Sequence, residues 1–241
     1  AITIPEYLSN RFASKNPALR IICAIVFAVF FTVYVASSFK AGGTLFSMVI
    51  PQLSQSTATL IFAAIIIAYT FTGGFKAVCW TDFFQGLMML VALLAVPIVI
   101  LLTKELDTSA LNFMGADGVM NTFGTNPFAA KPQDIISGLA WGLGYFGMPQ
   151  VLLRFMAIRK ASELKKSRRI AAVWVVISLF AAVAIGIIGR AMLPTAETLL
   201  TKGGAENVFV LMSESLLPPV LAGVIMAGIL AATISSSDSY L

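Results

Sequence analysis

The chain has 241 residues, of which 59% are hydrophobic and 11% are charged. Soluble domains carry about 25% charged residues, so the composition excludes an ordinary soluble domain, a disordered chain and a nucleic-acid-binding protein. The sequence has no histidine, which excludes Ser-His-Asp catalysis, and its two cysteines are too few for a disulfide framework or a metal cluster. These observations predict an all-α, polytopic membrane protein.

Six apolar segments are candidates for helices that cross a membrane. The first, Leu19–Ile50, is long enough to require a strong tilt, and the Gly42–Gly43 pair is a candidate break within it. A shorter amphipathic piece, Asn207–Leu217, leads into the last segment. Because that segment is still apolar at its end, we expect an internal fragment of a longer protein, whose remainder is a partner of this chain. The other five segments are Thr57–Thr72, Asp82–Thr103, Ile135–Ile158, Ile170–Leu193 and Pro219–Leu241.

The positive charges predict an orientation. With six spans, the connecting loops that lie on one side of the membrane carry eleven Lys and Arg residues, and those on the other side carry four. Positive residues concentrate on the cytoplasmic side. We therefore expect a cytoplasmic basic loop at residues 159–169 and an external loop at residues 104–134. Orientation accounts for the net charge of +5 without a nucleic-acid partner.

The fourth segment carries an irregular pattern for a membrane helix. Four glycines between residues 138 and 147 are followed by Pro149, which lacks a backbone N–H and disrupts a helix. Transporters place substrate sites at such discontinuous helices. Trp141 and Tyr145, one turn apart, would face one side of the break and could hold a small apolar body. The alternative is that the glycines serve close helix packing and the rings belong to the core.

The sixth segment ends in a run of serines. The Ala232 carbonyl and the hydroxyls of Ser235 and Ser236 are hard oxygen ligands of the kind that a small cation prefers. The alternative is that the hydroxyls bond to carbonyls of their own helix or to neighbouring helices.

Two carboxylates and one tyrosine complete the candidates. Asp238 is costly within a span, which makes it a functional candidate, although the cost is small if it lies near the membrane surface. Asp82 is either a favourable acidic residue at a helix N-terminus or part of an ion entry path. Tyr34, near the middle of the first segment, is either an interior aromatic residue or a wall of the site.

Five stretches of the sequence resemble the sodium:solute symporter family. The most specific is the run from Trp141 to Ala157, which reads WGLGYFGMPQVLLRFMA. The similarity extends along nearly the whole chain. The other four stretches are residues 5–12, 30–37, 72–82 and 229–236.

The resemblance implies part of a LeuT-type core, which is built from two inverted repeats of five helices. The chain would cover about core helices three to eight. The family's sodium site falls on the carbonyl of Ala232 and the hydroxyls of Ser235 and Ser236. Asp82 matches a family carboxylate that is tied to sodium dependence, and Asp238 is a further ion-coupling candidate.

The same resemblance implies a substrate site around the broken fourth segment. Trp141, Tyr145 and Pro149 match substrate-site positions of the family, and Tyr34 matches another. The implied function is sodium-coupled symport of L-proline across the plasma membrane by alternating access, with sodium as the ion and no enzymatic activity. The alternatives are symport of another small solute, such as pantothenate, a sugar or another amino acid, and a membrane sensor domain of a signalling kinase.

Overall fold

The computed structural model describes residues 3–13, 16–115, 118–145, 147–193, 199 and 204–241. These residues are mostly helical, which confirms the predicted all-α class. The elements in chain order are α1 (Ile4–Arg11), α2 (Ala18–Val49), α3 (Gln55–Thr103), β1 (Asn112–Met114), β2 (Met120–Thr122), α4 (Pro132–Tyr145), α5 (Pro149–Met156), α6 (Leu164–Met192), α7 (Val208–Leu216) and α8 (Pro219–Tyr240).

Four of the described helices are long and apolar enough to cross a membrane: Ala18–Val49, Gln55–Thr103, Ala161–Met192 and Pro219–Tyr240. The predicted second and third spans both lie in α3, which is interrupted at Gly74. The fourth predicted span is divided between two shorter helices, α4 and α5. The number of six spans therefore stays a prediction.

The expected break at Gly42–Gly43 is wrong, because α2 continues as a helix through both residues. The two glycines instead allow α2 to approach α3 closely. A Cβ on Gly42 would overlap the ring of Phe62, and one on Gly43 would overlap Thr59. Phe62 is only 1% exposed. Small residues have this role where membrane helices pack together.

The predicted break in the fourth segment is confirmed. Helix α4 ends at Tyr145, and α5 begins at Pro149. Met148 between them has extended dihedral angles of φ −67° and ψ 117°. Proline is well placed at the first position of a helix, because its missing N–H would have no helical partner there.

The described residues divide into two compact units. Because α3, α4, α6 and α8 have residues in both, the division does not separate sequential domains, and a single transmembrane domain over residues 1–241 stays a prediction. Unit 1 comprises Ala1–Gly86, Leu139–Ser167 and Leu230–Leu241, and unit 2 comprises Leu87–Gly138 and Arg168–Ile229.

Unit 2 is built around an apolar cluster. The predicted amphipathic piece is present as α7, preceded by a 3₁₀ turn at Gly204–Asn207. Met212 of α7 is fully buried in the cluster. The buried members are Ala92, Val96, Ile100, Ile185, Ile188, Met212 and Ile225.

The link at residues 104–134 contains structure that the sequence did not predict. Strands β1 and β2 pair antiparallel, with Phe113 opposite Asn121. Before them, the hydroxyl and the backbone N–H of Ser109 both donate to Asp107, which holds the pKa of that carboxyl below its usual value. The Arg190 guanidinium lies 4.9 Å from the centre of the Phe113 ring and donates to the carbonyl of Ala110.

Candidate ion and substrate site

The serine run of α8 brings two of the three predicted sodium ligands into contact. Ser236 Oγ donates to the Ala232 carbonyl at 3.0 Å. This is the bond within the helix that the sequence left open as an alternative. It also holds two of the predicted ligand oxygens next to each other. The third ligand, the Ser235 hydroxyl, donates to the carboxylate of Asp82 on α3.

Asp82 is the centre of a polar cluster that joins three helices of unit 1. Its carboxylate accepts hydrogen bonds from Ser235 and Ser239 of α8 and forms an ion pair with Arg154 of α5. Arg154 also donates to Ser239 Oγ at 2.7 Å. The Asp82 side chain is 14% exposed, so these partners replace most of its contact with solvent.

Asp238 is buried within unit 1, with 3% of its surface exposed, and its depth in the membrane stays a prediction. The hydroxyl of Tyr69 on α3 donates to Asp238 Oδ2. The neighbouring Ser237 is also fully buried, but it donates to the Thr233 carbonyl of its own helix at 2.8 Å.

Two of the four predicted substrate residues lie beside one cavity of unit 1. Pro149 lines a cavity of about 350 Å³ whose wall also includes Phe31 and Tyr240. Tyr34 packs against that wall, with its ring centre 5.5 Å from that of Tyr240 and 6.1 Å from that of Phe31. The cavity volume lies in the range of small-molecule sites.

The other two predicted substrate residues are exposed. Trp141 and Tyr145 lie on α4 with 71% and 61% of their surface exposed. Among the described residues, neither ring packs against another aromatic ring. Neither residue lines the cavity that Pro149 lines, but Tyr145 interacts electrostatically with Tyr240 of its wall. The role of Trp141 and Tyr145 stays a prediction.

Three residues of the site were missed. Arg154 was not among the predicted site residues, although a basic residue inside an apolar segment is itself a signal. Ser239 lies four residues after Ser235 and so on the same helix face, which was a usable signal. Tyr69 gave no signal, because a tyrosine within an apolar segment has many uses.

The whole chain, residues 1–241, matches the family model of the sodium:solute symporter family. It is 40% identical over 242 residues to sodium/proline symporter 2 of Staphylococcus saprophyticus and 38% identical over 254 residues to the sodium/proline symporter of Staphylococcus aureus. All of this chain is covered, against 46% of each relative, so the chain spans about half the length of these relatives. No solved structure matches the chain significantly.

The chain belongs to the sodium:solute symporter family. Membership confirms the resemblance seen in the sequence, and the family is one of plasma-membrane symporters and not of enzymes. The family name gives the class of co-transported ion, and the solute is named only for the relatives.

Proposed function

We propose that this chain is the part of a carrier that imports L-proline together with sodium by alternating access. The observation that carries the proposal is the meeting of α8 hydroxyls with the Asp82 carboxylate beside the broken pair α4 and α5. The names of the relatives support proline as the solute.

The sodium site consists of the Ala232 carbonyl and the hydroxyls of Ser235 and Ser236. Support comes from the 3.0 Å separation of the Ser236 and Ala232 oxygens, which lets one small ion contact both. Neutral oxygens suit a monovalent cation that has lost its water shell. Asp82, bonded to Ser235, adds the negative charge that attracts the ion.

Arg154 competes with the ion for the Asp82 carboxylate. Its guanidinium pairs with Asp82 and bonds Ser239, so a cation that approaches Asp82 must weaken this ion pair. A ligand shifts a conformational equilibrium only through different affinities for the two states. We infer that sodium favours the state in which Arg154 has left Asp82, and that the ion pair favours the sodium-free state.

The substrate site lies around Pro149 at the break between α4 and α5, with Tyr34, Trp141 and Tyr145 as its aromatic wall. Aromatic rings suit the apolar ring of proline, and their N–H and O–H groups can orient its polar ends. The N-terminus of α5 begins at Pro149, and helix N-termini at such breaks favour the carboxylate of a substrate. Trp141 and Tyr145 would close onto the solute in another state of the transport cycle.

The predicted orientation becomes part of the proposal, with residues 159–169 in the cytoplasm and residues 104–134 outside. Single cysteines at Ser162 and Ser109 of the full-length carrier test it with a thiol reagent that does not cross membranes. In intact cells the reagent should label the cysteine at position 109 and not the one at position 162. Labelling at position 162 and not at position 109 would show that the topology is the opposite of the one proposed.

The test of the function is uptake of radiolabelled L-proline by vesicles that contain the full-length carrier, with and without an inward sodium gradient. We expect the gradient to stimulate uptake and excess unlabelled proline to abolish it. Pantothenate, a sugar and other amino acids serve as competitors. Stronger competition by one of these than by proline would assign another solute, and uptake that ignores sodium would reject sodium coupling.

A further inference from the structure

Arg190 of α6 has a buried nitrogen atom without a hydrogen-bond partner in a cavity of unit 2. Its Nε donates to the Ala110 carbonyl at 3.0 Å, and its guanidinium lies over the Phe113 ring. Within the part of the chain that the structure describes, Nη1 has no partner and no carboxylate forms an ion pair with Arg190. An unsatisfied buried donor on a charged group costs free energy. The position therefore favours an anionic ligand.

The cavity that Arg190 lines, here called the Arg190 cavity, is otherwise mostly apolar. Its volume is about 280 Å³. Apart from Arg190 and Asn121, the described residues that line it have apolar side chains or none, among them Phe113, Phe123 and Ile187. A cavity of this composition suits a ligand in which an apolar body adjoins the anionic group. A small soluble anion lacks that apolar body.

An exposed apolar stripe on α6 leads to the Arg190 cavity. Val176, Phe180 and Val183 are exposed, and the same helical spacing continues to Ile187 and Arg190. Residues three and four apart lie on one face of a helix, so these five residues share a face. The helix rises about 21 Å over this distance, which is more than half of a hydrocarbon core of about 30 Å. A lipid chain could lie along such a stripe.

The position of Arg190 along α6 also fits a lipid. The helix is long and apolar enough to cross a membrane, and Arg190 stands two residues before its end at Met192. A basic residue at the end of a span reaches the level of the lipid head groups. The planar guanidinium matches the oxygens of a phosphate better than an ammonium group does. Charge, cavity and stripe therefore correspond to the phosphate and one chain of a phospholipid.

We propose that the Arg190 cavity binds the phosphate of an anionic membrane phospholipid, with an acyl chain along the stripe of Val176, Phe180, Val183 and Ile187. An anionic lipid is favoured over a zwitterionic one, because the described lining residues include no acidic side chain to pair with a cationic head group. This inference does not depend on the solute or on sodium.

The experiment measures equilibrium binding of radiolabelled phosphatidylglycerol to the purified full-length carrier in detergent micelles, without sodium or solute. Arg190→Gln removes the charge and should weaken binding about tenfold to hundredfold, which is the usual loss for a hydrogen bond to a charged group. Arg190→Lys keeps the charge but loses the planar fork, so it should bind with intermediate affinity.

A second variant tests the cavity and leaves Arg190 unchanged. Gly186 lines the cavity, and a Cβ built on it meets no atom within 4 Å. Leucine also favours a helix more than glycine does, so Gly186→Leu should fold and occupy part of the space. We expect it to weaken binding of phosphatidylglycerol. Unchanged binding in Gly186→Leu would overturn the cavity as the site.

The matched control for charge is Lys104→Gln. Lys104 is an exposed basic residue of unit 2 that follows α3 and does not line the cavity. We expect it to leave binding unchanged. Equal losses in the Lys104 and Arg190 variants would show only a general attraction of the lipid to positive charge, which overturns the site. Equal binding by the unaltered carrier and all variants would overturn it too.

Competitors identify the class of ligand. Unlabelled phosphatidylglycerol should displace the label more strongly than phosphatidylcholine, oleate or inorganic phosphate. Stronger displacement by oleate would assign the site to a long-chain carboxylate instead of a phospholipid. Displacement by inorganic phosphate alone, at the same concentration as phosphatidylglycerol, would overturn the role of the apolar stripe. None of these outcomes bears on the proposed function, which sodium-dependent uptake tests separately.

Discussion

The buried serine of unit 2 and the two carboxylates of unit 1 find their hydrogen-bond partners in different ways. In unit 2 the fully buried Ser213 donates to the Phe209 carbonyl of its own helix at 2.7 Å, and the surrounding core is apolar. In unit 1 Asp82 and Asp238 find their partners on other helices. Bonds within one helix persist however the helices pack, whereas bonds between helices depend on their arrangement. The polar contacts of unit 1 are therefore the ones that can respond to an ion.

The comparison fails if changes in the two units have the same consequences. Substitutions in the apolar cluster of unit 2 should lower stability and leave sodium dependence unchanged. Substitutions in the polar cluster of unit 1 should change sodium dependence and leave stability unchanged.

The largest expected effect is that of Met212→Ala in the full-length carrier. Met212 is 0% exposed in the apolar cluster, and removal of a buried side chain of this size costs about 2–5 kcal/mol of the free energy of unfolding. Denaturation of the purified protein measures the loss, and Leu221→Ala is the control because Leu221 is 52% exposed. A changed half-saturating sodium concentration in active Met212→Ala protein would contradict the division of roles.

The next effect is that of Asp82→Asn, which removes a charge but keeps the shape of the side chain. Hydrogen bonds to charged groups contribute about 1.5–3 kcal/mol, so we expect the half-saturating sodium concentration to rise about tenfold to hundredfold. Arg154→Gln should lower the half-saturating sodium concentration, because the guanidinium no longer competes with the ion for Asp82. A rise in both variants would show that the ion pair is only structural.

Trp141→Ala and Tyr145→Ala should act on the solute and not on the ion. Loss of one aromatic contact is worth about 0.5–1.5 kcal/mol, which corresponds to about a twofold to tenfold rise in the half-saturating proline concentration. Competition uptake assays at saturating sodium measure it. Phe71→Ala is a control, because Phe71 is 89% exposed on another helix. A larger effect on sodium than on proline would count against the assigned role.

The smallest effects come from single hydroxyls. Ser235→Ala removes a bond between two helices and should raise the half-saturating sodium concentration several-fold, by about 1 kcal/mol. Ser213→Ala removes only a bond within α7 and should change neither stability nor sodium dependence measurably. Equal effects of the two substitutions on sodium dependence would remove the basis of the comparison.

Several elements of the fold could be predicted from residues close together in the sequence. The break before Pro149 and the amphipathic helix α7 follow from nearby glycine, proline and apolar spacing. The Gly42–Gly43 pair was misinterpreted, because two adjacent glycines suit both an unwound turn and a close helix contact. The partner that decides between them is Phe62, which the local sequence does not reveal.

The candidate site also has some residues that the local sequence predicts and others that it does not. A run of serines on one helix is a local pattern typical of cation ligands, and Ala232, Ser235 and Ser236 stay predicted ligands on that ground. The pairing of Asp82 with Arg154 joins residues 72 positions apart, and that of Tyr69 with Asp238 joins residues 169 apart. Spacing along one helix cannot predict such pairs, because they depend on how the helices pack.

The bond from Ser236 to the Ala232 carbonyl bears on how readily a bound ion leaves. An ion that takes both oxygens as ligands must turn the hydroxyl proton away from the carbonyl, so binding sacrifices one hydrogen bond. Such a bond is worth about 0.5–1.5 kcal/mol, which weakens the ion's affinity about twofold to tenfold. A carrier must release sodium as well as bind it. This serine would hasten release on the side where sodium is scarce.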